Sequence, residues 1–319
     1  RLSSDLTKDN HQNQTTFHTT VVIMTYLTLI ANDAYFDEQY LSKFIKINNL
    51  ASLEQQVLSL NKAIRYDLPE NTDIFTQHDI QYPEDEPETL VAVVNNYKKF
   101  KPELAIFDMD STLIYQEVIE LIAFYANVED KVKEITDRAM NNEIDFKESL
   151  TLRCSLLTGV PLETLYQEII KKVVVTEGVP NFIKFLKGLG CKTGVISGGF
   201  EPFAKYIQQT LDLDYMKANN LVIEDGKLTG GLTGEIVDGQ CKAITLAKIA
   251  KENNIDIEKT LMVGDGGNDL LAMAAAGYGV AWNAKPAVQI QAPSRLNSKN
   301  MLDIAYIFGY TDYEIKSLI

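Results

Sequence analysis

Apolar residues in the second part of the chain gather in short continuous runs, which are separated by longer stretches of helical spacing. The runs predict four strands, at Leu104–Asp108, Lys192–Ser197, Thr260–Asp265 and Tyr278–Trp282. Continuous apolar runs of this length are typical of strands that are covered on both faces. Strands that alternate with helices indicate an α/β fold with a parallel sheet.

A long insertion separates the first two predicted strands, and most of it has helical periodicity. A parallel crossover needs only one helix, which is predicted at Pro180–Leu189. The other helices are expected to form an inserted helical cap over about residues 115–178, beside the strand ends like a lid. They are predicted at Gln116–Ala126, Asp130–Asn141, Asp145–Leu157 and Leu162–Lys172. Farther along, Asp225-Gly226 within Val222–Leu228 predicts a tight hairpin.

The chain before residue 101 has a different pattern. Residues 1–19 are polar with few large apolar side chains, which is typical of a disordered segment. Residues 20–100 predict a small α+β module in which we find no catalytic motif. Its expected elements are a strand in Val21–Ile30, a helix marked by Leu41, Phe44 and Ile45, a strand near Ile74 and a helix over Glu88–Phe100.

The net charge of -14 makes nonspecific nucleic-acid binding a poor hypothesis. A site for an anionic substrate must then carry local positive charge. The longest apolar run, Val21–Ile30, is too short to cross a membrane, and the first twenty residues lack the apolar core of a secretory signal. Three unpaired cysteines favour a reducing compartment, so we expect a cytoplasmic protein without a membrane partner.

Two acidic motifs directly follow predicted strands: Asp108–Thr112, which contains Asp108 and Asp110, and Gly264–Asp269. Taken alone, the first motif is more often a loop of solvated acids than a catalytic site. The second is equally a glycine-rich turn whose Asn268 or Asp269 caps a helix. That reading leaves Asp265 without a role.

The carboxyl ends of neighbouring parallel strands meet at one edge of a sheet, so both motifs are expected to converge there. Each close pair of carboxylates costs about 4 kcal/mol at about 4 Å and an effective dielectric constant of about 20. A cation is needed to keep such a cluster charged, and an all-oxygen ligand set favours Mg²⁺. Residues 101–319 contain no histidine, which disfavours zinc.

Two weaker signals complete the set. Ser197–Phe200 ends a strand before a helix, where a hydroxyl and free backbone N–H groups can bind an anion. Lys242 stands at a helix start, where a lysine is unfavourable for the helix dipole. Each has an ordinary alternative, a plain turn and a solvated lysine.

Together these residues predict a phosphatase in which a carboxylate attacks phosphorus and a second carboxylate acts as general acid and base. The sequence lacks the residues that other phosphatase nucleophiles require. No histidine lies in residues 101–319, and no cysteine is followed six positions later by the arginine that a cysteine-phosphatase loop requires.

The motifs Asp108–Thr112, Ser197–Gly199, Lys242 and Gly264–Asp269, in this order, resemble those of the haloacid dehalogenase superfamily. The resemblance implies a Rossmann-like core with Asp108 as nucleophile and Asp110 as general acid and base. It implies Mg²⁺ ligands from Asp108, Asp110 through its backbone carbonyl, and Asp265, with Asp269 nearby. Phosphate contacts are implied for Ser197, Gly198, Lys242 and Asn268.

Residues 101–319 further resemble the phosphoserine phosphatases, most clearly in Phe107–Leu113, Asp145–Arg153 and Asp225–Gly230. That resemblance implies hydrolysis of O-phosphoserine, in the last step of serine biosynthesis. It implies that Glu117 binds the substrate ammonium, Arg153 binds its carboxylate, and Met140 and Phe146 line the cap. Some members carry an N-terminal module similar to amino-acid-sensing domains, so a regulatory role for residues 20–100 is one interpretation.

Helical spacing supports the assignment of Arg153 independently. Phe146, Leu150 and Arg153 share one stripe of a helix, and an arginine on an apolar stripe needs a partner. The alternatives are a structural salt bridge and a side chain that packs along the helix and extends its charged end to solvent.

Two other functions stay open: a phosphatase for another small phosphorylated amine or amino acid, and a catalytically inert regulator that binds serine or phosphoserine. A homodimer is kept open as the assembly.

Overall fold

The computed structural model describes residues 24–68, 76–84, 86–141 and 143–319. The predicted disordered segment 1–19 and the predicted strand near Ile74 lie outside these residues. None of the described helices is long and apolar enough to cross a bilayer.

An antiparallel four-stranded sheet and one helix form the N-terminal module. Its elements are β1 (Thr25–Ala31), α1 (Glu38–Ile47), β2 (Gln55–Ser59), β3 (Ala63–Leu68) and β4 (Leu90–Asn95), and the strand order is β2-β3-β1-β4. Helix α1 begins where the Asp37 carboxylate accepts a hydrogen bond from Tyr40 N, and it buries Tyr40 and Phe44 against one face of the sheet. Residues of the opposite face, Ile30, Val91 and Val93, join the main hydrophobic core.

The helix predicted over Glu88–Phe100 is wrong, because β4 occupies Leu90–Asn95. This segment is a nearly continuous apolar run rich in valine, and it pairs antiparallel with β1, with Ile30 opposite Val91. Such a run suits a strand that is buried on both faces. Strands β2 and β3 were not predicted.

A seven-stranded sheet forms the core of the molecule. Its strands are β5 (Leu104–Phe107), β6 (Lys192–Phe200), β7 (Tyr215–Glu224), β8 (Lys227–Thr233), β9 (Thr260–Gly264), β10 (Tyr278–Trp282) and β11 (Ser294–Leu296). The order is β11-β10-β9-β5-β6-β7-β8, parallel throughout except for the β7–β8 hairpin. The predicted strands and the hairpin turn at Asp225-Gly226 are confirmed.

The insertion after β5 is helical, as predicted. It contains α2 (Val118–Ala126), α3 (Glu129–Met140), α4 (Phe146–Ser155) and α5 (Leu162–Ile170). The crossover helix α6 (Val179–Gly188) then leads to β6. The remaining helices cover the sheet: α7 (Glu201–Leu211), α8 (Gly239–Glu252), α9 (Leu270–Ala275), α10 (Pro286–Gln291), α11 (Ile304–Ile307) and α12 (Asp312–Leu318).

The α/β fold with a parallel sheet, a helical cap and an N-terminal α+β module is therefore confirmed. The domain limits 1–19, 20–100 and 101–319 stay predictions.

Candidate active site

Three neighbouring strands bring the sequence motifs together, because β9, β5 and β6 are adjacent in the sheet. Asp108 follows β5, Ser197 lies near the end of β6, and Asp265 follows β9. Carboxylate oxygens of Asp108, Asp265 and Asp269 lie within 4.8 Å of one another. The predicted convergence of the two acidic motifs is therefore present in the structure.

Lys242 lies at the centre of the site floor, which is the core side of the site and is formed by Asp108, Ser197, Lys242, Asp265 and Asp269. Its side chain is fully buried, and its Nζ lies 2.7 Å from Asp108 Oδ2 and 2.6 Å from Asp269 Oδ1. Desolvation lowers the pKa of Lys242, but the two carboxylates outweigh it and the net shift is upward, so the lysine is a cation. Asp269 is fixed further, since its Oδ2 accepts a hydrogen bond from Gly266 N at 3.0 Å.

When they are ionised, the acids of this cluster carry more negative charge than Lys242 alone can balance. Burial, followed by the charge of Asp108, raises the pKa of Asp265 to about 8 and that of Asp269 to about 7. Thr112 Oγ1 donates to Asp265 Oδ1 at 3.1 Å and holds that side chain beside the cluster. Three oxygen ligands so close together could hold a metal ion, and a hard cation would relieve their repulsion.

Asp110 is turned differently from the other acids. Its Oδ1 accepts a hydrogen bond from Val118 N at 3.2 Å, so its carboxylate lies toward the cap. Burial, then the charges of Glu117 and Asp108, raises the pKa of Asp110 well above the usual range. A raised pKa makes a carboxyl group better suited to donate its proton to a leaving group.

A kink in the chain makes this orientation possible. Within residues 109–113 the backbone leaves helical geometry at Asp110, and Ser111 has a φ of 53°, in the left-handed region. Ser111 Oγ donates to Glu117 Oε1 at 2.7 Å. The same turn therefore fixes both Asp110 and Glu117.

The end of β6 closes around the acids without leaving room for larger residues. A Cβ at Gly198 would lie 2.9 Å from Phe146 Cζ, and one at Gly199 would lie 2.8 Å from Asp110 Oδ2. Ser197 is fully buried, and its Oγ accepts a hydrogen bond from Gly199 N at 2.9 Å. Asn268 Nδ2 also lies 3.4 Å from the Cβ position at Gly198.

Asn219 is a site residue that the sequence interpretation missed. It is 2% exposed on β7, its Nδ2 donates to Gly198 O at 2.8 Å, and its Oδ1 accepts from Val237 N at 2.8 Å. It therefore ties the glycine loop to the segment that precedes Lys242. No strand was predicted at this position, and a polar Asn-Asn pair shortly before the predicted hairpin was the only available signal.

The cap supplies the opposite wall of the site. Phe146, Leu150 and Arg153 of α4 line the same cavity, so the predicted stripe does face the site. Arg153 Nε donates to Ser149 O at 3.3 Å, and its guanidinium forms no ion pair with any residue that the structure describes. A structural salt bridge to a described residue therefore does not explain why an arginine occupies this position. Met140 is the last residue of α3, and its side chain is outside the described part of the chain.

One cavity of about 370 Å³ connects the two sides. Burial raises the pKa of Glu117, which lies where the cap begins. Ser197 and Lys242 belong to the floor but are fully buried, so they do not line the cavity itself. The predicted residues that line the cavity are Asp108, Asp110, Glu117, Phe146, Arg153, Gly198, Asp265 and Asn268.

Comparison with known proteins decides the family. The sequence model of the haloacid dehalogenase-like hydrolase family matches residues 102–277, which are more than half of the chain. The chain belongs to this family. The resemblance carried by its motifs is thereby confirmed.

This haloacid dehalogenase-like hydrolase is similar to several characterised proteins. The phosphoserine phosphatase of Saccharomyces cerevisiae is 59% identical over 229 residues, which are 72% of this chain and 74% of the relative. A structure described as a phospho-aspartyl intermediate analogue of phosphoserine phosphatase has a TM-score of 0.61 at 40% identity, covering 65% of this chain and 99% of its own.

A probable phosphoserine phosphatase from Vibrio cholerae, in unliganded form, has a TM-score of 0.70 at 30% identity. It covers 92% of this chain and 89% of its own, so the likeness extends beyond the family match into the N-terminal module.

Proposed function

We propose that the protein hydrolyses O-phospho-L-serine to L-serine and phosphate through a phospho-aspartate on Asp108, in the last step of serine biosynthesis. The observation that carries this proposal is the division of one cavity between two kinds of group. A lysine-anchored acid cluster lies at one end, and Arg153 and Glu117 lie at the other.

The cap end complements an amino acid. Arg153 is an arginine without an ion pair among the described residues, and a guanidinium binds a planar carboxylate through two parallel hydrogen bonds. Glu117 is available to an ammonium group through the oxygen that Ser111 leaves free. A phosphate ester of serine carries both groups on the carbon next to its ester carbon.

The floor complements the phosphate. Lys242 Nζ contacts both Asp108 and Asp269, so it orients Asp108 and offsets the repulsion between this acid and an incoming dianion. Gly198 and Asn268 line the cavity beside the acids, and the buried Ser197 lies next to Gly199. These contacts agree with the phosphate roles that the motifs imply.

The reaction follows from two carboxyl groups with different surroundings. A carboxylate oxygen of Asp108 bonds to phosphorus as the bond from phosphorus to the serine oxygen breaks. The proton of Asp110 passes to that oxygen, and serine leaves. Asp110, now ionised, takes a proton from water, whose oxygen bonds to phosphorus and releases phosphate from Asp108.

Mg²⁺ fits the acid cluster. We propose that Asp108, Asp265 and the backbone carbonyl of Asp110 hold it, with Asp269 nearby. Burial and the charge of Asp108 raise the pKa of Asp265 to about 8, which supports the proposal that a cation is added at this cluster. When bound, the ion supplies charge stabilisation to the phosphoryl oxygens.

The setting of the enzyme follows from less specific features. All three cysteines are free and buried, in keeping with a reducing cytoplasm. We propose a regulatory role for the N-terminal module of residues 20–100, and a homodimer as the assembly to test by sedimentation.

A panel of substrate analogues tests the proposal. Phosphoethanolamine lacks the carboxylate, 3-phosphoglycerate lacks the ammonium, and an aryl phosphate lacks both. Phosphate release should be fastest with O-phospho-L-serine and should disappear with EDTA. Equal rates across the panel would reject the substrate, and no magnesium-dependent turnover of any compound would favour an inert regulator.

A further inference from the structure

Backbone hydrogen bonds attach the cap to the core where the chain enters and leaves it. Ile114 and Val175 form a short antiparallel bridge at these two crossings. Tyr115 N donates to Val174 O at 3.1 Å, and Thr176 N donates to Leu113 O at 2.9 Å. This ladder fixes one side of the cap.

A second backbone ladder joins the loop after α4 to the tip of the β7–β8 hairpin. Gly159 N donates to Leu228 O at 2.7 Å, and Leu228 N donates to Val160 O at 2.9 Å. Leu162 N donates to Gly226 O at 3.0 Å. The C-terminal end of α4 is therefore also held by main-chain bonds.

The N-terminal end of α4 is attached in another way. No backbone hydrogen bond joins residues 129–155 to the core, as far as the described positions in that range extend. Instead, Lys147 Nζ lies 2.9 Å from Asp238 Oδ2 of the core, and the adjacent Phe146 lies against Gly198. Side-chain contacts alone close this edge over the cavity.

Asp238 is a rigid anchor for this contact. Its Oδ1 accepts a hydrogen bond from Cys241 N at 2.8 Å and caps α8, while its Oδ2 faces Lys147. Lys242 N donates to the backbone carbonyl of Asp238 at 2.9 Å. The ion pair therefore connects the free edge of the cap to the helix turn that carries Lys242.

We propose that Lys147 is a positioning residue that keeps α4 closed over the cavity through its ion pair with Asp238. With this pair formed, Phe146 stays against Gly198 and Arg153, on the same helix, stays at the cavity wall. The pair is partly exposed, so it shifts the balance between closed and open cap without locking it. The kinetic part of this inference rests on the proposed function.

Four variants test the pair: Lys147→Met, Lys147→Arg, Asp238→Asn and the double variant Lys147→Met with Asp238→Asn. Asparagine is also a good helix cap, so Asp238→Asn removes the charge and keeps the bond to Cys241 N. Lys171→Met is the matched control, because Lys171 pairs with Glu168 at 2.9 Å within the cap.

Loss of the pair should raise the KM for O-phospho-L-serine about two- to five-fold without lowering kcat. The double variant should match either single variant, Lys147→Arg should behave as wild type, and added salt should bring the wild-type KM toward that of Lys147→Met. An unchanged KM, or additive effects of the two single changes, would overturn the proposal.

Hydrogen exchange gives a readout that does not depend on the substrate. The segment 196–200, which contains the Gly198 that Phe146 contacts, should exchange faster in Lys147→Met than in wild type, Lys147→Arg or Lys171→Met. Equal exchange in all four proteins would refute the closing role. If wild type fails to hydrolyse O-phospho-L-serine, the proposed function falls and this comparison alone decides the role of Lys147.

Discussion

The floor of the cavity differs from the cap wall, formed by Phe146, Leu150 and Arg153, in how many hydrogen bonds and ion pairs its charged groups already make within the protein. Lys242 contacts two carboxylates, and Asp269 accepts a second hydrogen bond from the backbone. Arg153, in contrast, makes one long hydrogen bond of 3.3 Å to Ser149 O. The charged groups of the floor thus have protein partners before any ligand binds, whereas the Arg153 guanidinium has no ion pair among the described residues.

The difference has a structural origin. The floor is built from ends of adjacent buried strands, where main-chain pairing fixes each side chain. The wall belongs to an inserted helical segment whose free edge touches the core through side chains only. A preorganised floor stabilises developing charge at little further cost, and a movable wall lets substrate enter.

Removing Lys242 should give the largest effect. Lys242→Met leaves Asp108 and Asp269 buried without their cation, so we expect activity to fall at least about 10³-fold. Unfolding free energy should fall by about 3–5 kcal/mol in metal-free buffer. Steady-state kinetics and urea unfolding measure the two effects.

Lys248→Met is the control for this change, since Lys248 lies on the same helix in an exposed pair with Glu252. A Lys242→Met protein as active and stable as the control would mean that the floor does not depend on its lysine.

Arg153→Ala should separate recognition from chemistry. We expect kcat/KM for O-phospho-L-serine to fall by about 30- to 150-fold, because a charge-assisted bidentate contact is lost. Turnover of an aryl phosphate should be unchanged, and Arg138→Ala, an exposed cap arginine, should alter neither. Equal losses on both substrates would assign Arg153 to the floor.

Asn219→Ala should have a smaller effect that spreads over all substrates. It leaves Gly198 O and Val237 N without their partner, which we expect to reduce stability by about 1–2 kcal/mol and kcat/KM by about tenfold. Inhibition by inorganic phosphate should weaken in parallel. Asn220→Ala, at the exposed neighbouring position, serves as control. An effect on O-phospho-L-serine but not on phosphate would contradict this role.

The pH dependence of magnesium binding should give the smallest signal. The pKa values of Asp265 and Asp269, about 8 and about 7 in the folded protein, lie above the ordinary value of 3.8. Metal-free protein should therefore lose stability as pH rises from about 4 toward about 8, because the fold holds protons that the unfolded chain releases.

Magnesium replaces those protons, so it should raise Tm more at about pH 8.5 than at about pH 6. Calorimetry with and without the ion measures this difference. An equal increment at both pH values would show that these acids do not bind the ion.

The acidic residues of the floor could be predicted from the sequence because the pattern that marks each of them lies in the residues directly beside it. Asp108 and Asp265 directly follow apolar runs, and the position of a strand end already specifies where a side chain lies. Four strands of the large sheet follow from continuous apolar runs, and the cap helices follow from helical spacing. The valine-rich segment Leu90–Asn95 was misassigned because a short apolar run does not separate helix from strand by itself.

Features that depend on distant partners could not be predicted. Asn219 acts through Gly198 and Val237, each far from it in the chain, and nothing local marks that contact. The pairing of Lys147 with Asp238 likewise exists only once the cap is folded onto the sheet. Strand β2, with exposed residues at Gln55 and Gln56, lacks the apolar run that reveals the core strands.

The central claim is that Asp108 receives the phosphoryl group, and trapping that intermediate tests it most directly. Wild-type protein is mixed with O-phospho-L-serine and Mg²⁺, quenched in acid and reduced with borohydride, which converts an acyl phosphate to an alcohol. Mass spectrometry of the peptide that contains residues 104–113 should place the reduced residue at Asp108. Reduction at another acid, or turnover of Asp108→Asn near the wild-type rate, would contradict the account.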